Sequence, residues 1–367
     1  MEGALQLAEG MREAPRPRAR PGELPSIQAL RAVAATSVIL AHVPFIDRGV
    51  YGVDIFFVIS GFIMCHIGSL SPDQFFLKRI FRVVPLYWLG TLGVFAIALL
   101  APRLLNSTTA DPEHLVKSLF FIPFKKGNGD VQPLLFLGWT LEYEMFFYVV
   151  FAIALAVRRA WAGLLTIGAL AVVTLAGRLL QPTAVIPRFF SRPIILEFGI
   201  GIAACYAWRR WRPALARLPL VAGALVAVGC YALLVVVDKG IPGYLGWLAP
   251  IPGFLLRGGL AFVLLMTVLS FEGRVAFPAS LLLIGDASYS LYLFHPYIVQ
   301  IVSKKVISFA RLTPASLVAL VLTIGACFLF AIVSFRLFER PSNQALRRLL
   351  ARPARRLPTP ASPGAAP

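Results

Sequence analysis

Hydrophobic residues along the 367-residue chain fall into long blocks that are separated by short polar or basic segments. The blocks are roughly 18 to 24 residues long, the length that an α-helix needs to cross a hydrocarbon core about 30 Å thick. No segment alternates apolar and polar residues as the strands of a membrane barrel do. The pattern therefore predicts an all-α polytopic membrane protein. About ten transmembrane helices are predicted, at residues 26–46, 50–68, 83–101, 134–157, 162–180, 192–208, 218–237, 251–270, 281–303 and 314–336.

The composition supports the membrane class, because 58% of the residues are hydrophobic and the mean hydropathy is +0.78. A net charge of +18 would suggest a nucleic-acid partner in a soluble protein. Here the basic residues concentrate in short loops and tails between the apolar blocks, which is typical of membrane topology. We therefore expect no nucleic-acid binding, and the positive-inside rule predicts that both termini are cytoplasmic.

Three regions follow from the change in composition along the chain. Residues 1–25 are predicted to be a disordered basic cytoplasmic tail, residues 26–340 the transmembrane domain, and residues 341–367 a cytoplasmic tail that is basic and then rich in Pro and Ala. The longest outer segment, residues 102–133, is expected either to lie along the interface or to fold back over a cavity. The four cysteines show no paired spacing, so neither a disulfide framework nor a metal site is predicted.

The first predicted span carries two ionisable residues, Arg31 and His42. Eleven residues turn a helix by about 1100°, only about 20° from three full turns, and advance it by about 16 Å. The two side chains should therefore share one face. Ionisable groups inside a membrane are functional candidates by default, and histidine can take and return a proton near neutral pH. The alternative is a packing histidine that bonds a backbone carbonyl.

The second span, "GVYGVDIFFVISGFIM", contains small residues together with Asp54 and Ser60. Small residues let helices pack closely, so a structural role is favoured for Ser60 and the glycines. Asp54 lies near the outer start of this helix. It is a candidate for the substrate cavity, and the alternative is an N-cap.

A basic group, Lys78, Arg79 and Arg82, precedes the third span. The two arginines are three residues apart and should share a helical face at the cytoplasmic side. They are either a positive-inside cluster or a clamp for phosphate, because guanidinium groups match phosphate oxygens. Their position alone does not choose between these interpretations.

The fourth span opens with "GWTLEYEMFFY" and so buries Glu142 and Glu144. Glu144 should lie about 15 Å deep, which is compatible with a basic partner on the first span, either Arg31 or His42. Trp139, Tyr143 and Tyr148 are candidates to line the same cavity.

The ninth span contains "IGDASYSLYLFHPYIV", with Tyr292 and His295 as further cavity candidates. His295 precedes Pro296, which cannot donate a backbone hydrogen bond. His295 is therefore either a functional residue or a side chain that satisfies this break, and the structural interpretation is slightly favoured.

Taken in order, six motifs resemble those of one family, the membrane-bound acyltransferase family 3, and within it the bacterial exopolysaccharide O-acetyltransferases. The motifs cover essentially the whole apolar region. They are "LRAVAATSVILAH", "GVDIFFVISGFIM", "KRIFRVVPLYW", "GWTLEYEMFFY", "SYSLYLFHP" and "ERP".

This resemblance implies transfer of an acyl group, usually acetyl, from cytoplasmic acyl-coenzyme A to a sugar hydroxyl of a surface glycan or its lipid-linked precursor. It implies a multi-pass protein of the bacterial inner membrane, in contact with membrane lipids, with acetyl-coenzyme A as donor substrate and no permanently bound cofactor. Homo-oligomers or glycan-assembly proteins are possible partners. A glycolipid or polysaccharide-precursor transporter or flippase without acyl transfer is the alternative function.

The resemblance also assigns roles to residues. His42 matches the essential histidine of the family, Arg31 the basic residue eleven positions earlier, and Glu144 the glutamate five residues after a tryptophan. Arg79 and Arg82, with the neighbouring Lys78, are expected to hold the donor's phosphates. We expect His42 to act as a general base, or to carry the acyl group itself, in a cavity that opens toward these arginines.

Overall fold

The computed structural model describes residues 24–43, 46–70, 75–105, 108–241, 251–305 and 313–351. The only strand-like pairing among these residues is an isolated antiparallel bridge between Lys125 and Val131. The all-α prediction is therefore confirmed. A π-helical turn, Phe335–Glu339, joins the last two helices. The α-helices are α1 (Pro25–Ala41), α2 (Tyr51–Leu70), α3 (Phe75–Leu100), α4 (Pro112–Leu119), α5 (Trp139–Arg158), α6 (Ala162–Leu180), α7 (Val185–Phe190), α8 (Leu196–Leu215), α9 (Leu220–Val237), α10 (Gly253–Leu269), α11 (Ala279–Asp286), α12 (Ser288–Lys305), α13 (Pro314–Ser334) and α14 (Arg340–Ala351).

Five helical stretches in the described residues have the length and hydropathy to cross a bilayer. They are Tyr51–Gly68, Phe75–Leu100, Phe136–Leu180, Leu220–Val237 and Pro314–Leu346. The third is 45 residues long, which is about 68 Å at 1.5 Å per residue and roughly twice a hydrocarbon core. It consists of two helices, α5 and α6, because the backbone is extended at Arg158 and the two helices pack against each other.

A helix also lies in each of the other predicted spans, with α11 and α12 sharing the ninth. The chain is thus an all-helical membrane protein. The number of helices that cross the membrane and the side of each terminus stay predictions. Residues 1–23 and 352–367, which contain most of the two predicted tails, lie outside the described residues.

Contacts between α1 and α12 fix the relative direction of these helices. Arg31 contacts Ser288, and His42, farther along α1, contacts His295, farther along α12. Residue numbers rise together on both helices, so the two helices run parallel. The first and ninth spans of an alternating bundle would run the same way, in agreement with this arrangement.

Helices α2 and α8 approach each other at two glycines, Gly61 and Gly201. A Cβ on Gly61 would lie 2.0 Å from the carbonyl oxygen of Phe198, and one on Gly201 would lie 2.1 Å from that of Val58. Any larger residue would push the backbones apart, since small residues are what permit such close helix packing in membranes. The packing role predicted for the glycines of the second span agrees with this contact, whereas Ser60 donates a hydrogen bond to Glu144.

The segment between α3 and α5 packs against α3. The Tyr87 hydroxyl donates to the Ser118 carbonyl oxygen (3.1 Å), and the Trp88 Nε1–H donates to that of Leu119 (2.9 Å). The described part of residues 102–133 therefore packs against α3, and whether it also lies along the membrane interface stays a prediction. The segment then returns to α5 through Phe136, whose ring centroid lies 5.8 Å from that of His42. It thereby covers the end of α1 that carries this histidine.

Candidate active site

A cavity lies between α1, α2, α3, α5 and α12, with an empty volume of about 760 Å³ when the space at its mouth is included. The lining residues of α2 extend from Val53 to Met64, about 16 Å along the helix. Both apolar and polar side chains contribute to the wall. The apolar ones are Val53, Phe56, Phe57, Ile59, Ile63, Met64, Val83 and Leu141, and the polar ones are Arg31, Ser60, Arg79, Arg82, Thr140, Glu144, Tyr148, Ser288, Tyr289 and Tyr292.

Three arginines give the cavity its positive charge: Arg31 from α1, and Arg79 and Arg82 from the first two turns of α3. Arg79 is buried, with 7% of its surface exposed. A buried carboxylate on the π-helical turn, Glu339, lies close enough to influence Arg31 and Arg82, and it accepts a hydrogen bond from the Ser290 hydroxyl (2.8 Å). Guanidinium groups so arranged are suited to bind an anionic, phosphate-bearing ligand.

Glu144 is the carboxylate on the cavity wall, and its hydrogen bonds come from hydroxyl groups. Ser60 donates to Oε1 at 3.0 Å, and Tyr148 donates to the same oxygen. The pairing with Arg31 or His42 expected from depth is not formed among the described residues. The charge of Glu144 acts on Arg31 across the cavity instead. Glu144 and Arg31 do line the same cavity, but position along a helix could not reveal which neighbour would satisfy the carboxylate.

His42 forms a pair with His295. His42 Nδ1 lies 2.9 Å from the Val38 carbonyl oxygen and 3.2 Å from His295 Nε2. The two rings meet edge to face, with centroids 4.9 Å apart. His295 is fully buried, whereas His42 keeps part of its surface exposed. The shared face that the spacing predicts for Arg31 and His42 is observed, since both contact α12.

His42 is not among the residues that line the cavity. Tyr292 does line it and connects the two regions, because its ring centroid is 6.4 Å from that of His295. Its hydroxyl shares a 2.8 Å hydrogen bond with Thr140, and Phe56 packs 6.0 Å from its ring. A polar and aromatic wall thus separates the arginine-lined cavity from the histidine pair.

Three other predicted site residues lie away from the cavity wall. Asp54 is buried and accepts a 2.9 Å hydrogen bond from Arg257 Nε. The Tyr143 hydroxyl donates to the Phe189 carbonyl oxygen (2.8 Å). Trp139 packs edge to face on Tyr143. Lys78 also does not appear in the cavity lining, so of the basic group before the third span the two arginines alone reach it.

Sequence reasoning missed several residues that shape the site. Arg257 is an arginine within an apolar span, and that charge was a signal that could have found it. Thr140 and Ser288 line the cavity, and each is flanked by recognised motif residues, yet a single hydroxyl in a helix carries little information. Among the described residues, no group of three or more His, Cys, Asp or Glu side chains is suited to hold a metal ion.

Comparisons with known proteins identify the family. An acyltransferase domain profile matches residues 24–332. The chain is 38% identical over 302 residues to the exopolysaccharide production protein ExoZ of Rhizobium meliloti, which covers 80% of this chain and 89% of that protein. It is 26% identical over 365 residues to the peptidoglycan O-acetyltransferase OatA of Listeria monocytogenes, covering 87% of this chain and 55% of that protein, so it spans about half the length of the Listeria relative. No solved structure matches the chain significantly. The protein belongs to the acyltransferase 3 family, as its motifs predict.

Proposed function

We propose that the protein is an O-acyltransferase of the bacterial inner membrane. It moves an acyl group, most simply acetyl, from cytoplasmic acyl-coenzyme A to a sugar hydroxyl of an exported or surface glycan, or of its lipid-linked precursor. The observation that carries this proposal is the convergence of three arginines and one carboxylate on a single cavity between five helices. The names of two relatives, one in exopolysaccharide production and one a peptidoglycan O-acetyltransferase, support a glycan acceptor.

The arginines would bind the donor's nucleotide. Coenzyme A carries several phosphates, and charge-assisted hydrogen bonds from Arg79 and Arg82 would hold them at the start of α3. The pantetheine arm, which is long and thin, would then extend along the apolar wall of α2 toward Thr140 and Tyr292. The charged nucleotide would then stay at the arginines, and the thioester would lie in the more apolar part of the cavity.

His42 would act as the general base. It takes the proton from the acceptor hydroxyl while the hydroxyl oxygen attacks the thioester carbonyl carbon, and the oxyanion that forms is stabilised by Arg31 or a backbone N–H. The C–S bond then breaks, and the coenzyme A thiolate recovers the proton from His42. The products are the sugar ester and free coenzyme A, so no further reactant is needed.

The wall between the cavity and His42 has a consequence for this mechanism. Because Tyr292 and Phe56 separate the two regions, these aromatic side chains must shift for the thioester to meet the acceptor beside His42. An acyl-histidine variant, in which His42 carries the acyl group from donor to acceptor, would need the same opening.

Labelled acetyl-coenzyme A tests the proposal directly. The purified protein, reconstituted in lipid nanodiscs, should consume the labelled donor and release coenzyme A when an extract of bacterial surface glycan is added, and mass spectrometry should find acetyl esters on the glycan. A matched preparation of Arg79→Gln/Arg82→Gln protein should turn over slowly at the same donor concentration. A transporter would bind glycan without consuming acetyl-coenzyme A, and that outcome would refute the proposal.

A further inference from the structure

The contact between His42 and His295 has a geometry that determines which ring nitrogens carry protons. Each Nδ1 faces the backbone carbonyl oxygen four residues earlier on its own helix: Val38 for His42, at 2.9 Å, and Leu291 for His295, at 3.0 Å. A carbonyl oxygen can only accept a hydrogen bond. Both Nδ1 atoms must therefore be donors, so each carries a hydrogen.

The second ring nitrogen of His295 follows from the first. A neutral imidazole has one N–H and one lone pair, so with Nδ1 protonated the lone pair of His295 lies on Nε2. That atom is the one 3.2 Å from His42 Nδ1. Protonating both nitrogens of His295 would place a full charge on a completely buried ring, which is costly. His295 Nε2 is thus an acceptor, and His42 Nδ1–H donates to it and to the Val38 carbonyl.

We propose that His295 is a positioning residue that, together with the Val38 carbonyl, holds His42 in the Nδ1–H tautomer and fixes its ring orientation. The free lone pair of His42 is then on Nε2, and this nitrogen is the base that takes the acceptor's proton. The inference rests on the proposed function and deepens it, since it names the reacting atom and the residue that prepares it. The second nitrogen of a reactive histidine is commonly set by the partner of the first.

The rival explanation is purely structural. Pro296 cannot donate to the Tyr292 carbonyl four residues earlier, and His295 could exist only to stabilise the helix around that break. This explanation predicts that any well-packed side chain at position 295 supports activity. It also predicts that the tautomer of His42 does not depend on residue 295.

Two nearly isosteric variants separate the explanations. His295→Gln retains an acceptor oxygen at about the position of Nε2, whereas His295→Met fills similar space without a hydrogen-bonding acceptor of comparable strength. We expect His295→Gln to lose less than about 5-fold in kcat and His295→Met between about 10- and 100-fold, a part of the contribution of a general base. The KM for acetyl-coenzyme A should stay unchanged in both, because the donor's phosphates bind at the arginines. Equal activity of the two variants in folded protein would overturn the proposal.

A spectroscopic measurement tests the tautomer without using activity. The chain has only four histidines, so the ring nitrogens of 15N-histidine-labelled protein can be assigned by subtracting the spectrum of His42→Gln. We expect protonated Nδ1 and unprotonated Nε2 on His42 in the native protein. In His295→Met the Val38 carbonyl is the one acceptor of this pair left for Nδ1–H, so the share of the Nε2–H tautomer should rise. His66→Gln is the control, since His66 packs on Phe62 and Trp208 away from the pair and its loss should leave the His42 signals unchanged.

The two measurements fail in different ways. If His42 is protonated on Nε2 in the native protein, the inference about His295 is wrong even when acetyl transfer is observed. If the tautomer is as proposed but His42→Ala protein still transfers acetyl groups, the proposed function of His42 is wrong and the role of His295 is limited to packing.

Discussion

Two groups of buried charges in this protein differ in what surrounds them. In the first, Asp54 is 3% exposed, and Arg257, from a different helix, donates to it at 2.9 Å. In the second, Arg31, Arg79 and Arg82 line a cavity with one carboxylate on its wall. In the first group the opposite charges pair with each other, so we call it the closed group. In the second group, arginines outnumber carboxylates among the side chains that line the cavity, which suits a binding site for an anion.

The difference shows why charge inside a membrane does not by itself identify a site. Arg31, Asp54 and Arg257 look alike along the sequence, as single ionisable residues in apolar spans, although the first lines the cavity and the other two form an ion pair. Removing one member of a buried ion pair leaves its partner's charge uncompensated and destabilises the fold, whereas a charged group on a cavity wall can contact a ligand. Substitutions in the two groups should therefore damage different properties, namely stability in the first and donor binding in the second.

The largest effect should come from the histidine beyond the cavity. His42→Ala removes the proposed base, so acetyl transfer should fall by at least about 100-fold. Folding should be nearly unaffected, because the side chain is only partly buried. The assay is release of coenzyme A from labelled acetyl-coenzyme A, with thermal unfolding in detergent as the folding check. His66→Ala is the matched control, and near-normal transfer by folded His42→Ala protein would contradict the assignment.

The next effect concerns the second group, the arginines that line the cavity. Arg82→Gln should raise the apparent KM for acetyl-coenzyme A by roughly 10- to 100-fold, since a hydrogen bond to a charged group contributes about 1.5 to 3 kcal/mol. Initial rates over a range of donor concentrations separate KM from kcat. Lys78→Gln is the control, because Lys78 does not line the cavity. A fall in kcat with unchanged donor binding would refute the clamp.

Substitution of Asp54 in the closed group should lower stability and leave donor binding unchanged. Asp54→Asn breaks a buried ion pair, a change that costs on the order of 3 kcal/mol when the remaining charge has no other partner, and the buried Glu197 beside Arg257 can replace part of the lost interaction. Because Arg257 is itself about one third exposed (32%), water can compensate part of the loss. We expect a lower unfolding temperature in detergent and an unchanged KM in the protein that remains folded. A raised KM without loss of stability would show that Asp54 belongs to the substrate cavity after all.

The sequence predicted the helical class, the helix positions and most polar residues of the cavity, because these depend on local periodicity and on motifs. It could not predict partners that are distant along the chain. Arg257 lies 203 positions from Asp54, and His295 lies 253 positions from His42. Spacing on one helix fixes a face and a depth, but the neighbour on that face depends on how all the helices pack. Glu144 illustrates this, since hydroxyl groups satisfy it at the depth where a basic partner was expected.

The smallest effect should come from Lys126, in the segment between α3 and α5. It is buried like the members of both groups, and in the described part of the chain carboxylates influence its charge without forming an ion pair with it. Its ammonium group contacts Thr108 at 3.4 Å. Burial lowers the pKa of Lys126 to about 8, although the charges of Asp130 and Glu142 oppose this. An unfolded lysine has a pKa of about 10.4. Between these values the unfolded chain binds more protons than the folded one, so this residue makes the folded state more stable as the pH rises from about 8 to 10.

The Lys126→Met protein should lack that gain in stability, and thermal unfolding of both proteins in detergent at pH 7.5 and 9.5 measures the difference. An identical pH dependence would mean that Lys126 is paired in solution as completely as Asp54.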